Sequence, residues 1–212
     1  KRHSQCRNLS TMSLLGEGGR MNFPNKKYQI IYADPPWSYS SFSSNSYDAW
    51  GLAKNHYQTM NVDDIKKIPI HEITDKNCML FLWATLPNLK QGIEVLEAWG
   101  FEYKTTAFVW IKQDKSTIKP KKYGMGWYTR SNAELVLLGR KGKFERKSTH
   151  IQQVVNSTIG EHSQKPNEVR DRILKLCGDL PRIELFARTK IHGWDVWGND
   201  EKLENTPLES WF

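Results

Sequence analysis

Two rhythms of apolar residues run along this chain. Tyr28-Gln29-Ile30-Ile31-Tyr32-Ala33 is β-branched and aromatic and predicts a buried strand. It runs into Asp34-Pro35-Pro36-Trp37, where two prolines cannot continue a central ladder, so the strand stops there. A Ser, Tyr, Asn and Gly loop follows to about residue 58, and Asn61 can cap a short helix over 62–68. Residues 77–84 form an apolar run of strand length. Pro87 opens a helix in which Leu89, Ile93, Leu96 and Ala98 or Trp99 share a face, and Gly100 closes it. Thr105–Ile111 reads as a third strand, 112–131 as a long loop and Glu134–Gly139 as another strand; 151–159 is ambiguous. Lys165-Pro166 begins a helix with Val169, Ile173, Leu174 and Leu176 or Cys177 inward and Gly178 at its end, and 182–187 is a final strand. Strands alternating with amphipathic helices predict an α/β fold with a mostly parallel sheet.

At 212 residues the chain accommodates one domain of ordinary size. Residues 1–20 are polar, basic and without hydrophobic period, so they are expected to be a flexible leader or extension. Residues 21–212 then form a single domain, with Met21 as a plausible start. No apolar run approaches the roughly 18–20 residues needed to span a bilayer, and a soluble, intracellular, cytoplasmic protein is expected. Cys6, Cys78 and Cys177 form no CxxC pair and have no histidine at zinc spacing. Cys78 and Cys177 read as small core residues in a reducing compartment, and no metal is expected.

The net charge is +8, and the segment from Lys112 to Lys147 carries all of that excess, with 11 Lys and Arg against 3 Asp and Glu. Tyr123, Trp127, Tyr128 and Phe144 are interleaved with these cations. Cations neutralise phosphates and aromatic faces stack on bases, so the mixture suits nucleic acid as well as it suits a solvated loop.

In an open parallel sheet, ligands bind beyond the carboxyl ends of the strands. Asp34-Pro35-Pro36-Trp37 sits at such an end and fits one chemistry well, methyl transfer to the exocyclic amine of adenine. That amine is a poor nucleophile because its lone pair delocalises into the ring. The Asp34 carboxylate and the Pro35 carbonyl can accept its protons and favour the nucleophilic geometry. Pro35 and Pro36 pre-organise the turn, and the Trp37 ring can hold the base. His56 and His162 are given no chemistry.

With these residues in place, the chain resembles the adenine-N6 methyltransferases related to the catalytic subunit of the eukaryotic mRNA adenosine methyltransferase, especially their short bacterial and phage members. The resemblance runs from about Tyr28 to Asp200. It covers Asp34-Pro35-Pro36-Trp37, His56-Tyr57-Gln58-Thr59-Met60, Leu80-Phe81-Leu82-Trp83, Val109-Trp110-Ile111-Lys112, Gly126-Trp127-Tyr128-Thr129-Arg130, His162-Ser163-Gln164-Lys165-Pro166 and Glu184-Leu185-Phe186-Ala187-Arg188. It implies a Rossmann-like fold in permuted motif order, with helices on both faces of the sheet and S-adenosylmethionine as methyl donor. Asp34, Pro35, Pro36 and Trp37 would then be catalytic, with Asp34 also near the donor's amine. Tyr57, Trp110 and Glu134 would line the base side, and Lys122, Trp127 and Arg130 in the basic segment would contact nucleic acid. Lys165 would pair with the donor's carboxylate, Arg188 and Asn199 would hold its ribose, and Asp200 would lie near its adenine. Trp194 and Trp197 would pack a C-terminal lid. Lys190-Ile191 departs from the His-Asn pair of eukaryotic relatives, so the ribose contacts differ in detail.

The reading that follows is a DNA adenine-N6 methyltransferase of site-specific or relaxed specificity. Little chain is left for a separate recognition domain, so a short target is expected, or help from a homodimeric or heterodimeric partner. RNA adenosine methylation is the first alternative. A catalytically silent nucleic-acid-binding subunit is the second, and it is opposed by the intact Asp34, Trp37 and Lys165. A methyltransferase for small molecules or protein glutamine is the third.

Overall fold

The computed structural model describes residues 23–38, 59–114, 128–160 and 164–198. Seven strands form one curled sheet: β1 (Tyr28–Ala33), β2 (Thr74–Thr85), β3 (Glu102–Gln113), β4 (Ala133–Lys141), β5 (Val154–Thr158), β6 (Arg182–Leu185) and β7 (Asp195–Trp197). Among the described residues three α-helices accompany them: α1 (Val62–Lys66), α2 (Leu89–Ala98) and α3 (Asn167–Cys177). The strand order is β5-β3-β4-β2-β1-β6-β7. β4 pairs antiparallel with both β2 and β3, and every other pairing is parallel. The sheet is therefore mostly parallel, with β4 the one strand that runs against the rest.

Alternation on β2 shows why both faces need cover. Cys78, Leu80, Leu82 and Ala84 enter one apolar cluster, shared with Ile65 of α1 and Val95 and Leu96 of α2. Met79, Phe81 and Trp83 enter the other, shared with Val169, Ile173 and Cys177 of α3. A strand buried on both sides reads as a continuous apolar run, as this one does. Burial pushes the Cys177 thiol up to about 12 and raises Cys78 as well, so both are inert core residues.

The helix boundaries follow local chemistry. The Asn61 side chain accepts from the Asp63 N–H and caps α1. Pro87 starts a single 3₁₀ turn, not α2 itself. Gly100 and Gly178 end α2 and α3 with φ of +84° and +86°.

The topology creates the site. From β1 the chain runs to β2, skips a place to β3, returns as β4 between them and goes on to β5 at the edge, then α3 carries it back across the sheet to β6 on the other side of β1. The order thus reverses at β1, with α1 and α2 on one face and α3 on the other. Such a switch point leaves a crevice at the carboxyl ends of the strands, and the residue that follows β1 there is Asp34.

Several expectations are corrected. β3 is longer than 105–111 because register shifts interrupt its alternation near Tyr103–Thr105 and Thr106–Phe108. The last long strand stops at Leu185, where Phe186 takes φ of +59° and turns the chain. Trp194 and Trp197 belong to the core and form no lid. Residues 195–197 add a seventh strand beside β6, and Trp194 packs 5.9 Å from the Tyr32 ring. That strand is too short for any sequence rhythm to show. The leader at 1–20 lies outside the described residues.

Candidate active site

The reversed strand is what assembles the site. β1 and β2 end at the upper rim of the sheet, and β4, running the other way, begins there. Glu134, near the start of β4, is therefore the register partner of Thr85 at the end of β2 and of Trp110 near the end of β3. The N-terminus of α3 lies at the same rim. Pro166 sits extended as its N-cap (φ −64°, ψ 130°) and presents Lys165 to the crevice.

Four charges meet there. The Lys165 ammonium lies 2.9 Å from Asp34 Oδ2 and 3.2 Å from Glu134 Oε2. Lys112 donates to the other Glu134 oxygen. Side-chain exposure is only 12% for Lys165 and Glu134, and 21% for Asp34. Burial alone would lower the Lys165 pKa, but the Asp34 and Glu134 carboxylates outweigh it and hold the ammonium above the ordinary lysine value. Burial likewise works to raise Glu134, and Lys165 and Lys112 reverse the sign, leaving it below the ordinary carboxylate range. Both groups are thus charged at neutral pH.

Aromatic rings wall the cluster. Lys165 lies 5.2 Å from the Trp83 ring centroid and Lys112 lies 5.1 Å from that of Trp110, and the two indoles meet edge to face at 6.0 Å. The Trp83 indole N–H donates to the Tyr32 hydroxyl at 2.6 Å. The Arg170 guanidinium covers the Tyr32 ring at 5.2 Å and is held by a two-bond pair to Glu184 at 2.8 and 2.7 Å. Two buried hydroxyls, Thr85 Oγ1 and Ser157 Oγ, find no hydrogen-bond partner among the described residues. Unpaired buried polar atoms are unusual, and these lie at the ends of β2 and β5, at the same rim.

The proline turn is tightly held. The Trp37 N–H donates to the Pro35 carbonyl at 2.8 Å, and the Met60 N–H donates to the Pro36 carbonyl at 2.8 Å. The Trp37 ring is only 4% exposed, and its indole N–H donates to the Trp83 carbonyl at 3.0 Å. It is an anchor beneath the turn and presents no open face to a base. Trp110 is equally buried, with its N–H on the Ser157 carbonyl at 3.1 Å.

Asp34, Pro35, Pro36, Trp37, Trp110, Glu134 and Lys165 thus come together. Arg188 follows β6 at the same rim and is partly buried, whereas Arg130 is exposed just before β4. Tyr57, Lys122, Trp127, Asn199 and Asp200 lie outside the described residues. Sequence reasoning did not single out Lys112, Tyr32, Trp83, Arg170 and Glu184. The signal was available for Lys112, two residues beyond Trp110 and so on the same strand face, and for Glu184, a carboxylate in an apolar strand.

Residues 28–200 match the MT-A70 family. This chain belongs to the MT-A70 family. It is a methyltransferase. The type II methyltransferase M.MunI from Mycoplasma sp is 38% identical over 201 residues, covering 85% of this chain and 82% of that protein. The human N(6)-adenosine-methyltransferase catalytic subunit METTL3 is 26% identical over 163 residues, covering 76% of this chain but 26% of the human protein. An MT-A70-like protein from Medicago truncatula is 27% identical over 175 residues, again covering 26% of its own length. The chain thus spans most of M.MunI and about a quarter of these eukaryotic relatives. Among the described residues no helix is long and apolar enough to cross a membrane.

Proposed function

We propose that this MT-A70 methyltransferase transfers a methyl group from S-adenosylmethionine to the N6 amine of adenine in DNA. The observation that carries the reading is the Asp34–Lys165–Glu134 cluster at the switch point of the sheet. The amino-acid end of the donor is a zwitterion, whose ammonium needs an acceptor and whose carboxylate needs a cation. Asp34 and Lys165 supply one of each, 2.9 Å apart and largely shielded from water, so the residues fit the group. DNA is favoured over RNA because the likeness to the type II methyltransferase M.MunI is higher and spans most of that protein, whereas the N(6)-adenosine-methyltransferase relatives match over about a quarter of theirs.

S-adenosylmethionine, when bound, supplies a methyl group activated by its sulfonium sulfur. This chain's residues supply position. Asp34 accepts a hydrogen bond from the target amine and orients its lone pair. The Pro35 carbonyl carries one bond from Trp37 and keeps a second lone pair for the amine. The prolines and the buried Trp37 fix these acceptors before substrate arrives, which lowers the entropic cost of alignment. Glu134 holds Lys165 beside Asp34 and keeps the cluster neutral overall. Asp34 acts as an orienting acceptor, and the proton leaves after transfer. A stacked adenine cannot reach this rim, so the base is flipped from a duplex or taken from a single strand.

The test is incubation with S-adenosylmethionine and duplex DNA, single-stranded DNA or matched RNA, followed by mass spectrometry of the nucleosides. N6-methyladenine in DNA that vanishes in Asp34→Ala is the expected result. Methylation of RNA alone would transfer the reading to RNA. No methyladenine from folded protein on any substrate would refute it.

A further inference from the structure

The structure divides the basic segment between two places. Lys112, where the segment begins, lies at the rim of the candidate site. β4 then runs away from that rim, and Arg140-Lys141-Gly142-Lys143-Phe144-Glu145-Arg146-Lys147 emerges at the opposite end of the sheet. A groove of about 620 Å³ opens there. Leu138, Phe144 and Leu176 give it apolar lining, and Lys104, Arg140 and Arg146 line it with positive charge. Glu102 bridges Lys104 at 2.5 Å and Arg140 at 3.6 Å, and Glu145 is exposed beside them. Lys143, Arg146 and Lys147 are exposed and make no ion pair among the described residues. Arg146 lines the groove, and Lys143 and Lys147 adjoin its lining residues Phe144 and Arg146 along the chain, so cations without ion pairs beside a partly buried phenylalanine suit phosphates and a stacked base. An apolar protein partner would not call for that many unpaired charges.

We infer that this groove is a second nucleic-acid contact, which holds the substrate strand away from the target adenine. The inference rests on the nucleic-acid reading proposed above. Glu134 and Arg140 lie on one strand and, by its period of two, on one face. At ~3.4 Å per residue the two ends are about 20 Å apart. A stacked strand advances about 3.4 Å per phosphate, so a flank of roughly 6 nucleotides reaches from the site to the groove. Substrates with shorter flanks engage the site alone.

The experiment compares wild type with Lys143→Glu/Arg146→Glu and the milder Lys143→Gln/Arg146→Gln, neither of which touches the candidate site. Fluorescence anisotropy measures binding of two adenine-containing DNA oligonucleotides across a salt series. One carries 12-nucleotide flanks and the other 3-nucleotide flanks. On the long DNA each lost contact lowers the salt slope by about 0.7–0.9, so the Gln pair loses about 1.4–1.8 and the Glu pair at least as much. Affinity for the short DNA and its methylation rate stay at the wild-type level. An unchanged slope on the long DNA, in variants that melt like wild type, overturns the inference while leaving the proposed function intact. Equal losses on both lengths also overturn it, because the groove would then not act through the flank. A wild-type protein that binds neither oligonucleotide fails the functional reading itself, and the groove falls with it.

Discussion

Replacing Glu134 by Gln keeps the shape of the buried carboxylate and removes its charge. In the wild type two ammonium groups and two carboxylates cancel. In Glu134→Gln, Lys165 keeps Asp34 at 2.9 Å, but Lys112 loses its carboxylate and the cluster carries one net positive charge. Breaking a fully buried pair costs about 3–5 kcal/mol. Here Lys165 keeps Asp34, Lys112 keeps its contacts outside this pair, and the side chains retain 12–18% exposure, so the cost is closer to that of one charge-assisted bond, about 2 kcal/mol. For a protein of this size that is a fall of about 4–8 °C in Tm. The dependence on pH gives the sharper test. Glu134 has a folded pKa below its unfolded value of about 4.3, so its contribution is complete above that value and is lost as pH falls through the folded one. The gap in Tm between wild type and variant, followed by circular dichroism, should be widest above about pH 5 and narrow progressively as pH falls below the unfolded value of about 4.3. A gap that is absent at neutral pH, or as large at pH 3.5 as at pH 7.5, would refute the assignment of Glu134 as a charged partner of Lys165 and Lys112.

Further outcomes follow from the same geometry. Arg170→Met should lose about 3–5 kcal/mol by leaving the buried Glu184 carboxylate without its two bonds, and adding Glu184→Leu should recover much of the loss; denaturant melts of single and double variants decide this. Gly142 has φ of +66°, and a Cβ there would meet the Lys76 carbonyl and the Asn77 side chain, so Gly142→Ala should cost about 2–4 kcal/mol with the methylation rate per folded molecule unchanged. Trp37→Phe removes the indole N–H that reaches the Trp83 carbonyl but keeps the packing; kcat should drop while KM for DNA holds, and a change in KM alone would make Trp37 a base contact after all.

The sheet was legible because most of its strands obey simple rhythms. The apolar run ending at Trp83 is continuous since β2 is covered on both faces, and Gly100 and Gly178 mark helix ends because both need a left-handed backbone. Bulges hid the ends of β3, and three residues were too few to reveal β7. In the site, Asp34 showed itself by the proline stop after an apolar strand, and Glu134 by a charge inside one. What could not be read was which way β4 runs. A strand's apolar pattern is the same in either direction, yet direction decides whether Glu134 lies beside Lys165 or at the far end of the sheet, and whether the basic residues after β4 approach the site or leave it. The burial of Trp37 was hidden for a related reason, since nothing in Asp34-Pro35-Pro36-Trp37 says on which side of the turn the indole lies.

The two buried ion clusters on the α3 face separate what folding requires from what it tolerates. Arg170 and Glu184 are closed on each other by two bonds, Arg170 takes a third to Asn167, and its guanidinium lies on the Tyr32 ring. Each partner there is satisfied by protein alone, and the pair braces Tyr32, which in turn fixes Trp83 beneath Lys165. The Asp34, Glu134, Lys112 and Lys165 cluster is arranged differently. Its charges share one another, Asp34 keeps a path to solvent, and unpaired hydroxyls flank it at Thr85 and Ser157. A buried ion pair is weak ground for stability, because apolar residues of the same volume often serve as well or better. A cluster kept open beside unsatisfied hydroxyls at a switch point is therefore better explained by a ligand that completes it than by the fold that carries it.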